Sequence, residues 1–287
     1  MDHEDRFVPA RILWMRRWSP RLLSFRLERE PGFRFVPGQF ARLGLKTPDG
    51  VPVWRAYSMA SASWDEYLEF YSIVVPGGAF TSQLVGLQPG DSVLIERKPN
   101  GFFTTNRFAD GRDLWMLATG TGLAPYLSIL QDETTWQRFE RLILVHGARE
   151  AADLAYRDEI AALRAHPLWA EHGHKLIYQP VVTREALAGA LQARLPALIR
   201  SGQLEAAVGL PLGLEESRVM ICGSPEMVRD CHQALMERGF RLSRLAAPAQ
   251  IAVENAWWLS TLLVRRVRRR TRMVQKSTDH DFQITDL

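Results

Sequence analysis

The chain has 287 residues, enough for two cores of ordinary size, and its 46% hydrophobic and 24% charged content is that of a globular protein. Its two cysteines, Cys222 and Cys231, exclude a disulfide framework and a cysteine-ligated iron–sulfur cluster, and no apolar run reaches the length of a membrane span. The net charge of +4 is local: seven of the 36 basic and three of the 32 acidic residues fall in 259–287, leaving 29 of each sign elsewhere. A chain-wide nucleic-acid surface is therefore not expected. Met1-Asp2-His3-Glu4-Asp5 does not open like a signal peptide, so the cytoplasm is the default expectation and no transmembrane segment is expected.

Residues up to about Phe103 read as strands and turns. Arg21 to Leu27 alternates, with Leu23, Phe25 and Leu27 on one face, and Gln39 to Leu45, Val53 to Met59, Glu69 to Val75 and Ser92 to Glu96 follow. Pro37-Gly38, Pro48-Asp49-Gly50, Pro76-Gly77-Gly78 and Pro89-Gly90-Asp91 supply the turns between them. About six short strands at this spacing predict a small closed barrel, because closure removes exposed edges. Ala79 to Leu87 is the expected helical interruption.

Beyond Gly101-Phe102-Phe103 the period changes. Leu114-Trp115-Met116-Leu117-Ala118-Thr119 is a continuous apolar run, as in a parallel strand buried on both faces. A helix from Pro125, a strand Arg141 to His146 and a helix from about Asp153 to Arg164 come next. Then follow a strand Lys175 to Val182, a helical stretch, a strand Arg218 to Cys222 and a helix Pro225 to Arg238. This alternation predicts a doubly wound parallel sheet. The polar stretch Asn106 to Arg112 divides the halves.

Four motifs carry chemistry. Arg55-Ala56-Tyr57-Ser58 puts a guanidinium and a phenol on one strand face, with Ala56 facing away; this suits a pyrophosphate beside a flat heterocycle, or an ordinary strand end. Gly120-Thr121-Gly122-Leu123-Ala124-Pro125 follows a buried strand and opens a helix, offering close backbone approach and free N–H groups to an anion. It departs from G-x-G-x-x-G because Pro125 stands where the third glycine would be. Arg149 and Arg184 lie past successive strands and Arg194 in the helix beyond, where a set of guanidiniums fits an extra terminal phosphate although each alone reads as a solvated charge. In Cys222-Gly223-Ser224-Pro225-Glu226-Met227 a strand ends, turns and starts a helix; Cys222 there is either core or the edge of a cofactor site, while Cys231 is core. The seven histidines show no paired metal-ligand spacing, so no metal is expected. Neither a nucleophile elbow nor a P-loop occurs.

These motifs, in this order, resemble the ferredoxin–NADP reductase superfamily, and most of all its bacterial ferredoxin/flavodoxin branch. Glu69-Phe70-Tyr71, Tyr126-Leu127-Ser128-Ile129-Leu130, Val181-Val182-Thr183-Arg184-Glu185 and Met220-Ile221-Cys222-Gly223 extend the resemblance over about Arg11 to Trp257. It implies an α+β two-domain fold, an N-terminal antiparallel Greek-key β-barrel followed by an α/β doubly wound parallel sheet. The implied domains are 1–106 for FAD, 107–258 for NADP(H), and 259–287 as a basic extension. By resemblance FAD is held by Arg55, Ala56, Tyr57 and Ser58, by Tyr71, Ser72, Ile73 and Val74, by Ala79, Phe80 and Thr81, and by Thr121 and Trp257. NADP is held by Ala148, Arg149, Thr183, Arg184, Arg194, Gly223 and Ser224, with Arg184 and Arg194 on the 2′-phosphate. The implied catalytic residues are Ser58 at the flavin's reactive edge, Cys222 near the nicotinamide's reactive carbon, and Trp257 as an aromatic that must move aside.

The expected activity passes a hydride from NADPH to FAD and single electrons onward to ferredoxin or flavodoxin, reversibly, in a monomer. A reductase component of an oxygenase, or a free-flavin reductase, is the second enzyme reading; a flavin-binding redox-regulatory or scaffold subunit is the reading from another class. The family pattern ends on one aromatic, whereas here Trp258 and a tail through Leu287 follow Trp257. Leu259, Leu262, Leu263 and Val267 recur at roughly helical spacing up to the arginine cluster; the tail reads either as a solvated, partly unfolded extension or as a contact for acidic ferredoxin, an anionic membrane surface or nucleic acid.

Overall fold

A computed structural model describes residues 6–46 and 50–255. The N-terminal half is a six-stranded antiparallel sheet built from β1 (Phe7–Ser19), β2 (Leu22–Glu28), β3 (Phe40–Lys46), β4 (Pro52–Ser58), β5 (Tyr67–Ile73) and β6 (Ser92–Glu96). Its order, β4-β3-β6-β1-β2-β5, interleaves β6 between β3 and β1, the over-and-back connection of a Greek key. The two edge strands meet through a bridge from Met59 to Phe70 and a bond from Ala60 N to Glu69 O, so the sheet curls toward closure. β1 makes this possible by serving two partners: Phe7 to Arg11 pairs with β6, and Ile12 to Ser19 pairs with β2, with a register shift between Ile12 and Trp14. Phe25, Leu43, Phe70, Val93 and Ile95 fill the interior. The helix expected over Ala79 to Leu87 is the short α1 (Thr81–Leu84).

The second half holds β7 (Asp113–Thr119), α2 (Ala124–Ile129), α3 (Glu133–Arg138), β8 (Arg141–Ala148), α4 (Arg157–Leu163), β9 (Leu176–Val182), α5 (Leu195–Ser201), α6 (Gln203–Val208), β10 (Ser217–Gly223), α7 (Pro225–Met236) and β11 (Ile251–Asn255). All strand pairs are parallel and run β11-β10-β7-β8-β9, the doubly wound arrangement. The apolar run of β7 divides by parity. Leu114, Met116 and Ala118 join Leu142, Leu144, Met220 and Cys222 on the face that also packs Leu22 and Tyr71 of the barrel. Trp115 and Leu117 join Ile143, Val145, Val219 and Ile221 on the other face, under α5 and α7. A strand sandwiched in this way is apolar along most of its length, here from Leu114 to Ala118.

The helix expected from Asp153 begins only at Arg157. Residues 151–153 form a 3-10 turn, and Tyr156, at the N-cap of α4, takes φ 62°. Past β9 the chain turns through 183–194 and returns to pair Leu191 with Val181 before α5 starts. Arg194 therefore precedes that helix in extended conformation instead of lying inside it, since Pro196 suits a first helical turn.

Candidate functional site

In doubly wound sheets a ligand crevice opens where the strand order reverses, outside the carboxyl ends of the strands. Here that point lies between β7 and β10. The Gly120-Leu123 turn leaves β7 and the Gly223-Ser224 turn leaves β10. An ideal Cβ on Gly122 would stand 2.2 Å from the Cys222 carbonyl oxygen, so only glycine lets the first turn lie against β10. A Cβ on Gly223 would fall 2.2 Å from Thr119 Oγ1, whereas Gly120 faces open space. Thr121 is half-buried on the same turn. Ser224 caps α7, its Oγ accepting from Met227 N at 3.3 Å.

β4 approaches from the barrel. Tyr57 packs its ring against Phe25, Phe70 and Phe80, and its hydroxyl shares a 2.9 Å hydrogen bond with Ser72 Oγ. Burial pushes the Tyr57 phenol up to about 12, with the Ser72 bond and the Arg55 charge opposing, so it stays protonated at neutral pH. Arg55 spends one N–H on the Trp54 carbonyl at 2.8 Å, and no carboxylate among the described residues pairs with it. A half-buried guanidinium left without an anion, two residues from a planar ring on the same face, fits a nucleotide pyrophosphate. Thr81 Oγ1 bonds both N and O of Val75 at 3.1 and 3.2 Å, which folds the Ala79-Phe80-Thr81 turn back on the end of β5. Val74 N in turn bonds Arg21 O at 2.7 Å. Ile73 pairs with Leu22, while Tyr71 points out of the barrel into the shared core with its hydroxyl unpartnered. Ala56 pairs with Arg42 on the opposite parity, as expected of the strand.

The seam between the halves holds a residue that the sequence reading passed over. Ser58 Oγ donates to Glu254 Oε2 at 3.0 Å, and Glu254 pairs in register with Cys222 across β10 and β11. Burial pushes the Glu254 carboxyl up to about 7, against the Ser58 hydrogen bond that lowers it. Burial, then the Glu254 charge, pushes the Cys222 thiol well up, so it stays protonated and is no nucleophile. Ser58, Cys222 and Glu254 thus form one cluster in which only the carboxyl changes protonation near neutrality. The available signal was an acidic residue in the otherwise apolar strand Ile251-Ala252-Val253, on the parity that faces Cys222. Trp257, named beside it, lies outside the described residues.

At the far side of the crevice, Thr183 N bonds Ala148 O at 3.2 Å and Arg184 N bonds Arg149 O at 2.9 Å. These bonds extend the pairing of β8 and β9 and bring the two exposed arginines to adjacent strand ends. Arg184 meets Glu150 at 3.5 Å, an exposed pair of little net strength. Arg149 and Arg194 are exposed and have no ion-pair partner among the described residues. His146, on the same face as Cys222, is buried, and burial, then the Arg157 charge, push it down to about 3. It is a neutral imidazole, hydrogen-bonded to Tyr178 OH at 3.0 Å, and among the described residues no group of three potential metal ligands forms. None of these residues lines the surface cavity of about 400 Å³ bounded by Arg29, Arg34, Trp64 and Asp65. There the Arg29 guanidinium is already engaged by the Phe33, Ser63 and Asp65 carbonyls.

Comparison with known proteins finds one family model in each half. Residues 17–104 match the oxidoreductase FAD-binding domain and 116–233 the oxidoreductase NAD-binding domain. A ferredoxin–NADP reductase of Pseudomonas aeruginosa is 43% identical over 251 residues, covering 86% of this chain and 96% of the relative. A flavodoxin/ferredoxin–NADP reductase of Escherichia coli is 43% identical over 224 residues, covering 78% and 88%. Among solved structures, a Neisseria gonorrhoeae ferredoxin NADP+ reductase with bound FAD and NADP superposes with a TM-score of 0.82 at 37% identity, over 88% of this chain and 99% of that one.

Proposed function

Because the chain belongs to the ferredoxin–NADP reductase family, we propose that it is an NADPH-dependent flavoenzyme that delivers electrons to ferredoxin or flavodoxin. The observation that carries this reading is the crevice itself, with an anion-free Arg55 and a protected Tyr57 on one wall and the paired strand-end arginines on the other. We assign FAD to 1–106 and NADP(H) to 107–258, in a cytoplasmic monomer. The extension 259–287 and the proposed gate Trp257 lie outside the described residues.

Bound FAD supplies the chemistry of accepting two electrons together and releasing them one at a time. This chain's residues do the rest. Arg55 would neutralise the pyrophosphate of bound FAD, and the backbone of Tyr71 to Val74 with the Ala79-Phe80-Thr81 turn would help hold it. The glycine turns at Gly120 and Gly223 let the second nucleotide approach the first. Arg149, Arg184 and Arg194 supply positive charge for an extra phosphate, which selects NADPH over NADH. Ser58, whose hydroxyl is held by Glu254, and the protonated Cys222 would leave the reacting ring edge beside uncharged groups. Glu254, balanced near neutrality, holds or yields a proton beside them.

The test is anaerobic titration of the purified holoprotein. NADPH should bleach the flavin absorbance at one equivalent, and ferredoxin or flavodoxin should restore it. Bleaching by NADPH with reoxidation only by free flavin would favour the free-flavin reductase reading. A flavin that NADPH leaves oxidised would refute an enzymatic role.

A further inference from the structure

The mechanism leaves one buried polar chain unused, and it joins the two halves. Trp18 Nε1 donates to Ser24 Oγ at 2.8 Å, Ser24 shares a short hydrogen bond with Tyr156 OH, and Tyr156 OH donates to Glu69 Oε1 at 2.7 Å. The second oxygen of Glu69 takes Arg26 Nε at 2.8 Å. Every donor in that series has an acceptor, and Ser24, Tyr156 and Glu69 are all buried. Trp18, Ser24, Arg26 and Glu69 belong to the barrel; Tyr156 alone comes from the parallel-sheet half.

Tyr156 is also the one non-glycine described residue with positive φ, at 62°. A bulky residue holds such a backbone only when its surroundings determine it. Here the surroundings are the Trp18 ring at 4.4 Å, the Tyr71 ring edge-on at 5.3 Å and the hydrogen bonds just named. Two further ties flank it: Asp153 accepts from Ser19 Oγ at 3.0 Å and from Arg21 Nη2 at 2.7 Å, and Arg16 reaches Glu159 at 2.5 Å.

What lies at either end of this tie gives it a consequence. The segment holding Tyr156 begins at Arg149, whose carbonyl fixes Arg184, and Ala151 N is held by Glu185. The strand holding Glu69 continues into Tyr71 to Val74. We propose that Tyr156 is a positioning residue: its hydroxyl, locked to Ser24 and Glu69, sets the NADP-side loop 149–156 against the flavin-side strand β5 and so fixes the distance over which hydride passes. The proposal rests on the function given above.

The experiment uses full-length holoprotein with Tyr156→Phe, which keeps the ring and removes the hydroxyl, and Ser24→Ala as a second variant. Rapid mixing with saturating NADPH should show unchanged FAD content and a limiting reduction rate about tenfold lower, since a small misplacement of reacting groups is costly. Hydrogen exchange should accelerate together in 149–156 and 67–73. A wild-type limiting rate per bound flavin in both variants overturns the proposal, whatever the exchange, because the hydroxyl is then packing only. A slower rate with unchanged exchange also overturns it. If NADPH does not reduce the unmutated protein, the functional reading fails; coupled acceleration of the two segments then still sustains the tie, and unchanged exchange removes it.

Discussion

Replacing Glu254 by glutamine isolates a seam group that titrates near neutrality. The amide keeps an oxygen to accept the Ser58 hydrogen bond and loses only the charge. A carboxyl raised from 4.5 to about 7 binds its proton more tightly folded than unfolded, so the wild type loses stability as pH rises through that interval. The full shift corresponds to about 3 kcal/mol above pH 7. Glu254 is part-exposed by surface area, and solvent screening brings the expected figure to about 2 kcal/mol. Urea denaturation of both holoproteins at one FAD concentration, from pH 4.5 to 8, measures it. The stability of Glu254→Gln relative to wild type should grow by about 2 kcal/mol across that range. His146 and every other titrating group is common to both proteins and cancels. Parallel pH curves would refute the raised carboxyl, and a difference of opposite sign would mean that the folded site favours its charge.

Three other outcomes follow from the site. Arg184→Ala should raise the KM for NADPH about tenfold while leaving NADH nearly unchanged, because only one carries the extra phosphate; equal loss for both coenzymes would contradict that assignment. Ser58→Ala should retain FAD and slow flavin reduction by about tenfold in stopped flow, reflecting a misplaced ring edge and an unpaired Glu254. Gly122→Ala should destabilise the holoprotein by about 2 kcal/mol or more, because the new methyl meets the Cys222 carbonyl at 2.2 Å. A thermal midpoint within a degree of wild type would show that the turn gives way freely.

The two architectures were legible because each has its own periodicity. Alternation at Leu23, Phe25 and Leu27 marks the barrel-facing side of a strand, although the other side is covered too at Leu22 and Ser24, and the unbroken run at Leu114 to Ala118 marks a strand covered on both. The strand Phe7–Ser19 was not bounded in advance because its register shift changes which side chains face inward midway, which erases a simple alternation. The proposed nucleotide contacts were legible where chemistry sits in a contiguous motif, as at Arg55 to Ser58 or Gly120 to Pro125. Glu254 and Tyr156 were not, since each acquires its meaning from partners on another strand or in the other half.

Taken alone, the sequence determined the order of the two folds through local periodicity, and its motifs in order carried a resemblance to the family that implied the class of cofactor. Only the tertiary structure decided that Ser58 is 3.0 Å from a carboxyl 196 residues away, and that one phenol closes a hydrogen-bonded chain between barrel and sheet. Desolvation and hydrogen-bond geometry depend on which surfaces meet, and a pattern along the chain does not carry that information.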